Sequence, residues 1–345
     1  MVLLSDMRSS LADFKNATGF TAVIVGGTSG IGEAMVRALA RHANAAVVYV
    51  VGRNAEAANR ILNDCRDQCP SSRFEFLQQD IALLKGVDVV CAQIQAREPN
   101  KVDLLFMTPD YLSFGGREET PEGLDKVLSL RYYARIRFIH NLLPLLRNSP
   151  YPRVISVFAP YYGEFNFYLD DLSLRKHYGL LLATSHASIM TTLAHEVLAA
   201  RHPAISFGHV FPGAVWTPSV AVGRMSPLLR WFLTWVVRPL AWIFLQGYEE
   251  CGDRMLFLSL TATLPPKNHS RVAAGGWVGA LGTSVGIDES HVVVGSDGER
   301  GNGCYCVSSG AKRLASGKRL NDLRAKGAGD VVWQHTMDIF RAIDS

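Results

Sequence analysis

Several common ways of organising a protein are missing from this chain. Cysteine is sparse: Cys65, Cys69, Cys91, Cys251, Cys304 and Cys306 are the only six in 345 residues. They form no C-x-x-C pair and meet no histidine pair at zinc spacing, so neither a disulfide framework nor a metal site is expected. Charge is low as well, at 19% of residues with a net of +4, and no Lys/Arg-rich block occurs. That argues against a nucleic-acid partner. Met1 to Phe20 lacks the continuous apolar core of a secretory signal. With reduced thiols, this leads us to expect a cytoplasmic protein. No uncharged apolar run reaches the roughly 18 residues of a membrane span. Pro227 to Gln246 comes nearest, and Arg230 and Arg238-Pro239 interrupt it. A mid-membrane arginine costs about 2.5–3.5 kcal/mol on insertion scales. A buried or lid-like helix, or peripheral contact with a membrane surface, fits this stretch better.

Apolar side chains, at 48%, can fill a large core in a chain this long. Their periodicity alternates. Thr21–Val25, Ala45–Val51, Phe74–Leu77, Val102–Met107, Arg153–Phe158 and Ala204–Val210 are short runs with the character of buried strands. Between them lie helical patterns over Ile31–His42, Asn54–Asp67, Leu83–Arg97, Glu119–Leu146 and Lys176–Ala200. A strand or hairpin near His291–Ser308 and a helix near Asp330–Ala342 follow, and Ala273–Gly286 reads as a glycine-rich loop. Strands separated by helices predict a Rossmann-type, doubly wound parallel sheet in three α/β/α layers. We expect one domain over residues 1–345, with an apolar lid around 221–246 and a C-terminal extension around 265–345.

The sharpest chemical signal is Val25-Gly26-Gly27-Thr28-Ser29-Gly30-Ile31-Gly32, between the first strand and the first helix. Glycines there allow a tight turn and close approach of backbone N–H groups to a diphosphate, and the helix N-terminus adds partial positive charge. Thr28 and Ser29 offer hydroxyls to phosphate and to the helix cap. The plainer alternative is a glycine turn with no ligand. After the second strand comes Gly52-Arg53-Asn54. An acidic residue here would suit the ribose hydroxyl of NAD, whereas the planar fork of Arg53 suits a 2′-phosphate, so NADP(H) is the expected cofactor. Asp80 follows the third strand, where it would meet the adenine amino group.

These residues, together with Phe211-Pro212-Gly213-Ala214-Val215-Trp216-Thr217, resemble the short-chain dehydrogenase/reductase family. The last segment is similar to the family's P-G-x-V-x-T, which implies that Val215 and Thr217 meet the nicotinamide end of the cofactor. The resemblance covers about residues 20 to 260, and Gly295-Ser296-Asp297-Gly298 and Val332-Trp333-Gln334-His335-Thr336 resemble a fungal secondary-metabolism subgroup. The family often pairs through its two long helices, so a homodimer is among the expectations.

The resemblance breaks at the catalytic set. Arg131 stands where the family has Asn, and Ala159 where it has Ser, with Ser156 earlier on the strand. Tyr178 matches the catalytic tyrosine in one register, but Leu182 replaces the lysine that would lower its pKa and hold the ribose. Counting back from Leu193-Ala194-His195-Glu196 gives Gly179 and Ala183 instead. Met107-Thr108-Pro109-Asp110 replaces the family's N-N-A-G. A tyrosine without a neighbouring cation is a poor base at neutral pH but can still donate a proton to an alkoxide. The expectation is therefore an NADP(H)-dependent reductase, with Tyr178 as proton donor and Arg131 as a source of positive charge. Tyr161, Tyr162 and Glu164, after the fifth strand, and Asp110, near the nicotinamide floor, are further site candidates. Trp231, Phe232, Trp235, Trp242 and Phe244 would form the apolar lid over a small hydrophobic substrate, a terpenoid, polyketide or alkaloid intermediate. Two other readings keep the dinucleotide: a non-redox isomerase or cyclase, and a non-catalytic dinucleotide-binding protein.

Overall fold

A computed structural model of the chain describes residues 2–345 except 17, 99, 161–165, 216–225, 233, 236–245 and 269–291. Seven parallel strands form one sheet in the order β3-β2-β1-β4-β5-β6-β7. They are β1 (Thr21–Val25), β2 (Val47–Gly52), β3 (Arg73–Gln78), β4 (Leu104–Met107), β5 (Arg153–Val157), β6 (Ser206–Phe211) and β7 (Cys304–Ser308). β1, β4 and β5 are buried along their whole length, as expected of strands covered on both faces. The chain order reverses between β1 and β4, and the crevice at such a switch point is where ligands bind in open α/β sheets.

One face is covered by α1 (Leu4–Phe14), α2 (Gly30–His42), α3 (Ala55–Gln68) and, past the short α8 (Pro227–Phe232), by α9 (Tyr248–Leu260). α2 and α9 approach so closely that a Cβ at Gly252 would lie 2.3 Å from the Ala34 carbonyl oxygen. The other face carries α4 (Leu84–Gln95), α5 (Lys126–Leu128), α6 (Ala134–Arg147), α7 (Leu180–Arg201), α10 (Lys318–Ala325) and α11 (Ala328–Asp344). α11 lies across α6 and α7. Tyr132 Oη is 2.6 Å from Thr336 Oγ1, Arg137 binds Asp344, and the Arg201 guanidinium sits 4.7 Å above Trp333.

The structure differs from the sequence reading at several helix ends. The fourth helical pattern begins at Lys126 rather than Glu119, because Asp125 accepts from the N–H groups of Leu128 and Glu118 and so closes a loop before the helix. A π-helical turn over Ser129–Tyr133 then joins α5 to α6. The next helix begins at Leu180, not Lys176, because the Asp171 carboxylate gathers the N–H groups of Arg175, Lys176 and His177 into a turn. Tyr178 therefore precedes the helix instead of lying on it. α1, α9 and α10 were not expected. Among the described residues no helix is long and apolar enough to cross a membrane. The expected glycine-rich loop at 273–286 and most of the lid segment lie outside the described residues.

Candidate active site

At the carboxyl edge of the sheet a cleft of ≈ 300 Å³ runs across the ends of β3, β2, β1, β4, β5 and β6. Gly26, Thr28, Ser29, Gly30 and Ile31 line its middle, and Arg53 and Asp80 one end. Thr108, Asp110, Phe158, Ala159 and Pro212 line the other. Seven of the expected cofactor residues, in the turn and its acidic and basic flanks, thus converge on one cleft.

The turn is built by backbone crowding. Gly26 and Gly30 have φ of +85° and +58°, where side chains are strained. A Cβ on Gly32 would lie 2.2 Å from the Gly26 oxygen, so Gly32 serves by letting the helix start against the turn and is not itself on the cleft wall. Ser29 occupies the N-cap of α2 but makes no capping bond through its side chain. Its hydroxyl and the first N–H groups of the helix remain for a ligand. These features fit a diphosphate. Arg53 is exposed, and its guanidinium has no ion-pair partner among the described residues. Asp80 accepts from Ala82 N–H through Oδ1 at 3.0 Å.

Two expected cofactor residues have other work. Asn54 caps α3, its Oδ1 accepting from Ala57 N–H at 3.0 Å, and it does not line the cleft. Val215 packs against the core on the α2 side. Thr217, Tyr161, Tyr162 and Glu164 lie outside the described residues.

The catalytic candidates are dispersed. Ser156 is fully buried under α7, with Oγ 3.4 Å from His195 Nε2. Tyr178 is not on the cleft wall, and its buried hydroxyl lies beside the Asp125 carboxylate. Burial and the nearby Asp125 carboxylate push the phenol well above its usual range, with Arg131 and Arg117 offsetting only part of this. His186 accepts from Tyr168 N–H, and His177 stacks on Tyr168 with centroids 4.1 Å apart. At the helix start Gly179 is the N-cap and Ala183 follows one turn later, so neither register places a lysine here.

Behind this end of the cleft, off its wall, lies an arginine pair. Arg131 is buried, donates from Nε to Asp110 Oδ1 at 2.5 Å and from Nη1 to Thr184 Oγ1 at 2.6 Å, and lies 5.2 Å from the centre of the Phe158 ring. Arg135, one turn later and fully buried, donates to the carbonyls of Val157 and Pro109 at 3.0 and 2.8 Å. Sequence reasoning missed Arg135 altogether. The signal available for it is a second arginine one turn after Arg131, among core residues. Among the described residues no cluster of His, Cys, Asp and Glu could hold a metal ion.

Comparison with known proteins gives consistent matches. Residues 20–160 fit the model of the short chain dehydrogenase family. The oxidoreductase AN1596 of Emericella nidulans is 38% identical, with 97% of each chain covered. The short-chain dehydrogenase/reductase SAT2 of Stachybotrys chartarum is 32% identical, over 80% of this chain and 86% of that protein. The L-sorbose reductase from Gluconobacter frateurii, crystallised with NADPH and L-sorbose, is 19% identical. It shares the fold with a TM-score of 0.54 over 71% of this chain and 91% of its own.

Proposed function

Because the chain belongs to the short-chain dehydrogenase/reductase family, with fungal oxidoreductases among its relatives, we propose that it is an NADP(H)-dependent reductase acting on a carbonyl of a hydrophobic natural-product intermediate. The observation that carries this reading is the order of groups along the cleft. Arg53, a cation with no ion-pair partner among the described residues, stands at one end, the glycine turn in the middle, and Asp110, Phe158 and Ala159 at the other. Arg53 supports NADP(H) over NAD(H), because its planar donors match a phosphate. A reduced nicotinamide bound there supplies a hydride.

The chain's own residues must then orient the carbonyl and supply a proton. Among the described residues the Arg131–Asp110 pair and buried Arg135 give this end two cations and one anion, which would favour negative charge developing above them. Tyr178 remains the proposed proton donor. Its phenol holds its proton at neutral pH and can give it to a more basic alkoxide. Since its hydroxyl faces Asp125 and not the cleft, this role requires the residues before α7 to turn inward. Among the described residues near the expected lid, Leu228, Trp231, Phe232 and Trp235 are all exposed, at helical spacing. They support a greasy substrate or peripheral membrane contact.

Substrate-dependent loss of the NADPH absorbance band, with Tyr178→Phe slowing turnover but not cofactor binding, tests this reading. A second reading, a non-redox isomerase or cyclase that retains NADP(H), draws support from Arg131, Ala159 and Leu182 standing in the places of the usual catalytic groups. Product formed with no change in that band would select it. Binding with no turnover would leave a non-catalytic dinucleotide-binding protein.

A further inference from the structure

We propose that Asp110 is the residue that holds the second ribose of the dinucleotide, accepting its hydroxyls through Oδ2. The inference rests on reading the cleft as a dinucleotide site and assigns one of its ends.

The order of the strands sets the order of contacts along an extended ligand. β1 ends in the diphosphate turn and has β2 on one side and β4 on the other. Neighbouring strands lie about 4.8 Å apart. The group that follows β2 is Arg53, and the group that follows β4 is Asp110. Both line the cleft. A ligand centred on the turn therefore presents the nucleoside on one side of its diphosphate to Arg53 and the nucleoside on the other side to Asp110. Phe158 and Ala159, one strand further on after β5, then face the base of that second nucleoside.

The chemistry of Asp110 selects hydroxyls. An ionised carboxylate only accepts, so it repels phosphate and takes a diol. Its Oδ1 is already committed, to Arg131 Nε at 2.5 Å and to Tyr111 N–H at 2.8 Å. Oδ2 has no partner among the described residues, while the side chain keeps 33% of its exposure. Arg131 is itself fixed by Thr184, which donates to the Leu180 carbonyl at 2.7 Å. The carboxylate is thus clamped on one oxygen and presents the other. The unlike charges of Arg53 and Asp110 also set the direction of the ligand, with the 2′-phosphate toward β2 and the unphosphorylated ribose toward β4. This assigns to a carboxylate the grip on ribose that a lysine would otherwise provide, and it explains how the cleft can do without one.

Calorimetric titration with three probes tests the assignment: NADPH, 2′,5′-ADP, and NADPH whose nicotinamide-side ribose lacks its 2′-hydroxyl. Wild-type protein should bind the deoxy analogue about tenfold or more weaker than NADPH, the size of a hydrogen bond to a charged group. Asp110→Asn keeps an acceptor for Arg131 and Tyr111 but replaces the free oxygen with a donor. It should weaken NADPH by a similar factor, leave 2′,5′-ADP unchanged, and no longer distinguish NADPH from the deoxy analogue. Equal affinity of wild-type protein for NADPH and the analogue overturns the assignment, and that measurement needs no variant to fold. If 2′,5′-ADP fails to bind wild-type protein, the dinucleotide reading itself falls, and this inference with it.

Discussion

Ser156 turns its hydroxyl toward His195, at 3.4 Å, in the interior beneath α7 and away from the cleft. His195 belongs to a layer of buried histidines. His209 meets Thr192 Oγ1 at 3.0 Å, and His186 accepts from Tyr168 N–H. Burial lowers all three, with His195 pulled down to about 3 and His186 to about 4; the nearby Arg135 adds to the effect on His195 and His209.

The consequence is a specific acid sensitivity. An unfolded histidine binds a proton near 6.5, whereas the folded ones stay neutral until about 3 to 4. The unfolded state thus holds more protons throughout that window, and stability falls as pH drops through it. Between about pH 6.5 and 5 the loss is up to about 2 kcal/mol per histidine. The urea midpoint should fall over this range, and His195→Gln should flatten the slope. A midpoint independent of pH from 7 to 5 would contradict the buried, neutral assignment.

A second prediction concerns α1. Asp253 on α9 is buried and binds Arg8 Nε at 2.7 Å, Arg41 Nη2 at 2.8 Å and His42 Nε2 at 3.0 Å. Although burial alone would raise it, these bonds hold its carboxyl well below the usual range. Its contribution is therefore present above the ordinary carboxylate pKa and lost as pH falls below it. Asp253→Asn should cost about 3 kcal/mol, the scale for breaking a buried ion pair. It should also speed proteolysis within Leu4–Phe14, because this cluster fastens α1 to α9. Unchanged melting temperature and unchanged proteolysis would contradict that role.

How much of this was legible in the sequence depended on distance along the chain. The strands of the sheet could be read because β-branched runs such as Thr21–Val25 announce burial locally, and the glycine turn because its requirements lie within eight residues. The start of α7 could not, because the Asp171 turn that displaces it uses a carboxylate outside the helical pattern. Arg131 could be singled out as a charge where the family has Asn, but what anchors it could not. Its partners, Asp110 and Thr184, are 21 and 53 positions away. The docking of α1 rests on a pair 245 positions apart, Arg8 with Asp253, which no local signal foretells.

The resemblance implied pairing through the two long helices, but α11 occupies the outer side of α6 and α7 through Thr336, Phe340, Asp344 and Trp333. A partner chain could use that face only by displacing α11 and exposing Phe340 and Val332, both buried. We expect sedimentation to show no dimer formed through this face and crosslinks placed on α6 or α7 to remain within one chain. Interchain crosslinks between α7 helices would contradict this.

The central claim is that the glycine turn and Arg53 together receive a 2′-phosphorylated dinucleotide, and affinity measured for both nicotinamide cofactors tests it most directly. Arg53→Ala should weaken NADPH about tenfold or more while leaving NADH nearly unchanged. Equal weakening of the two, or no binding of either by the wild-type chain, would contradict the account.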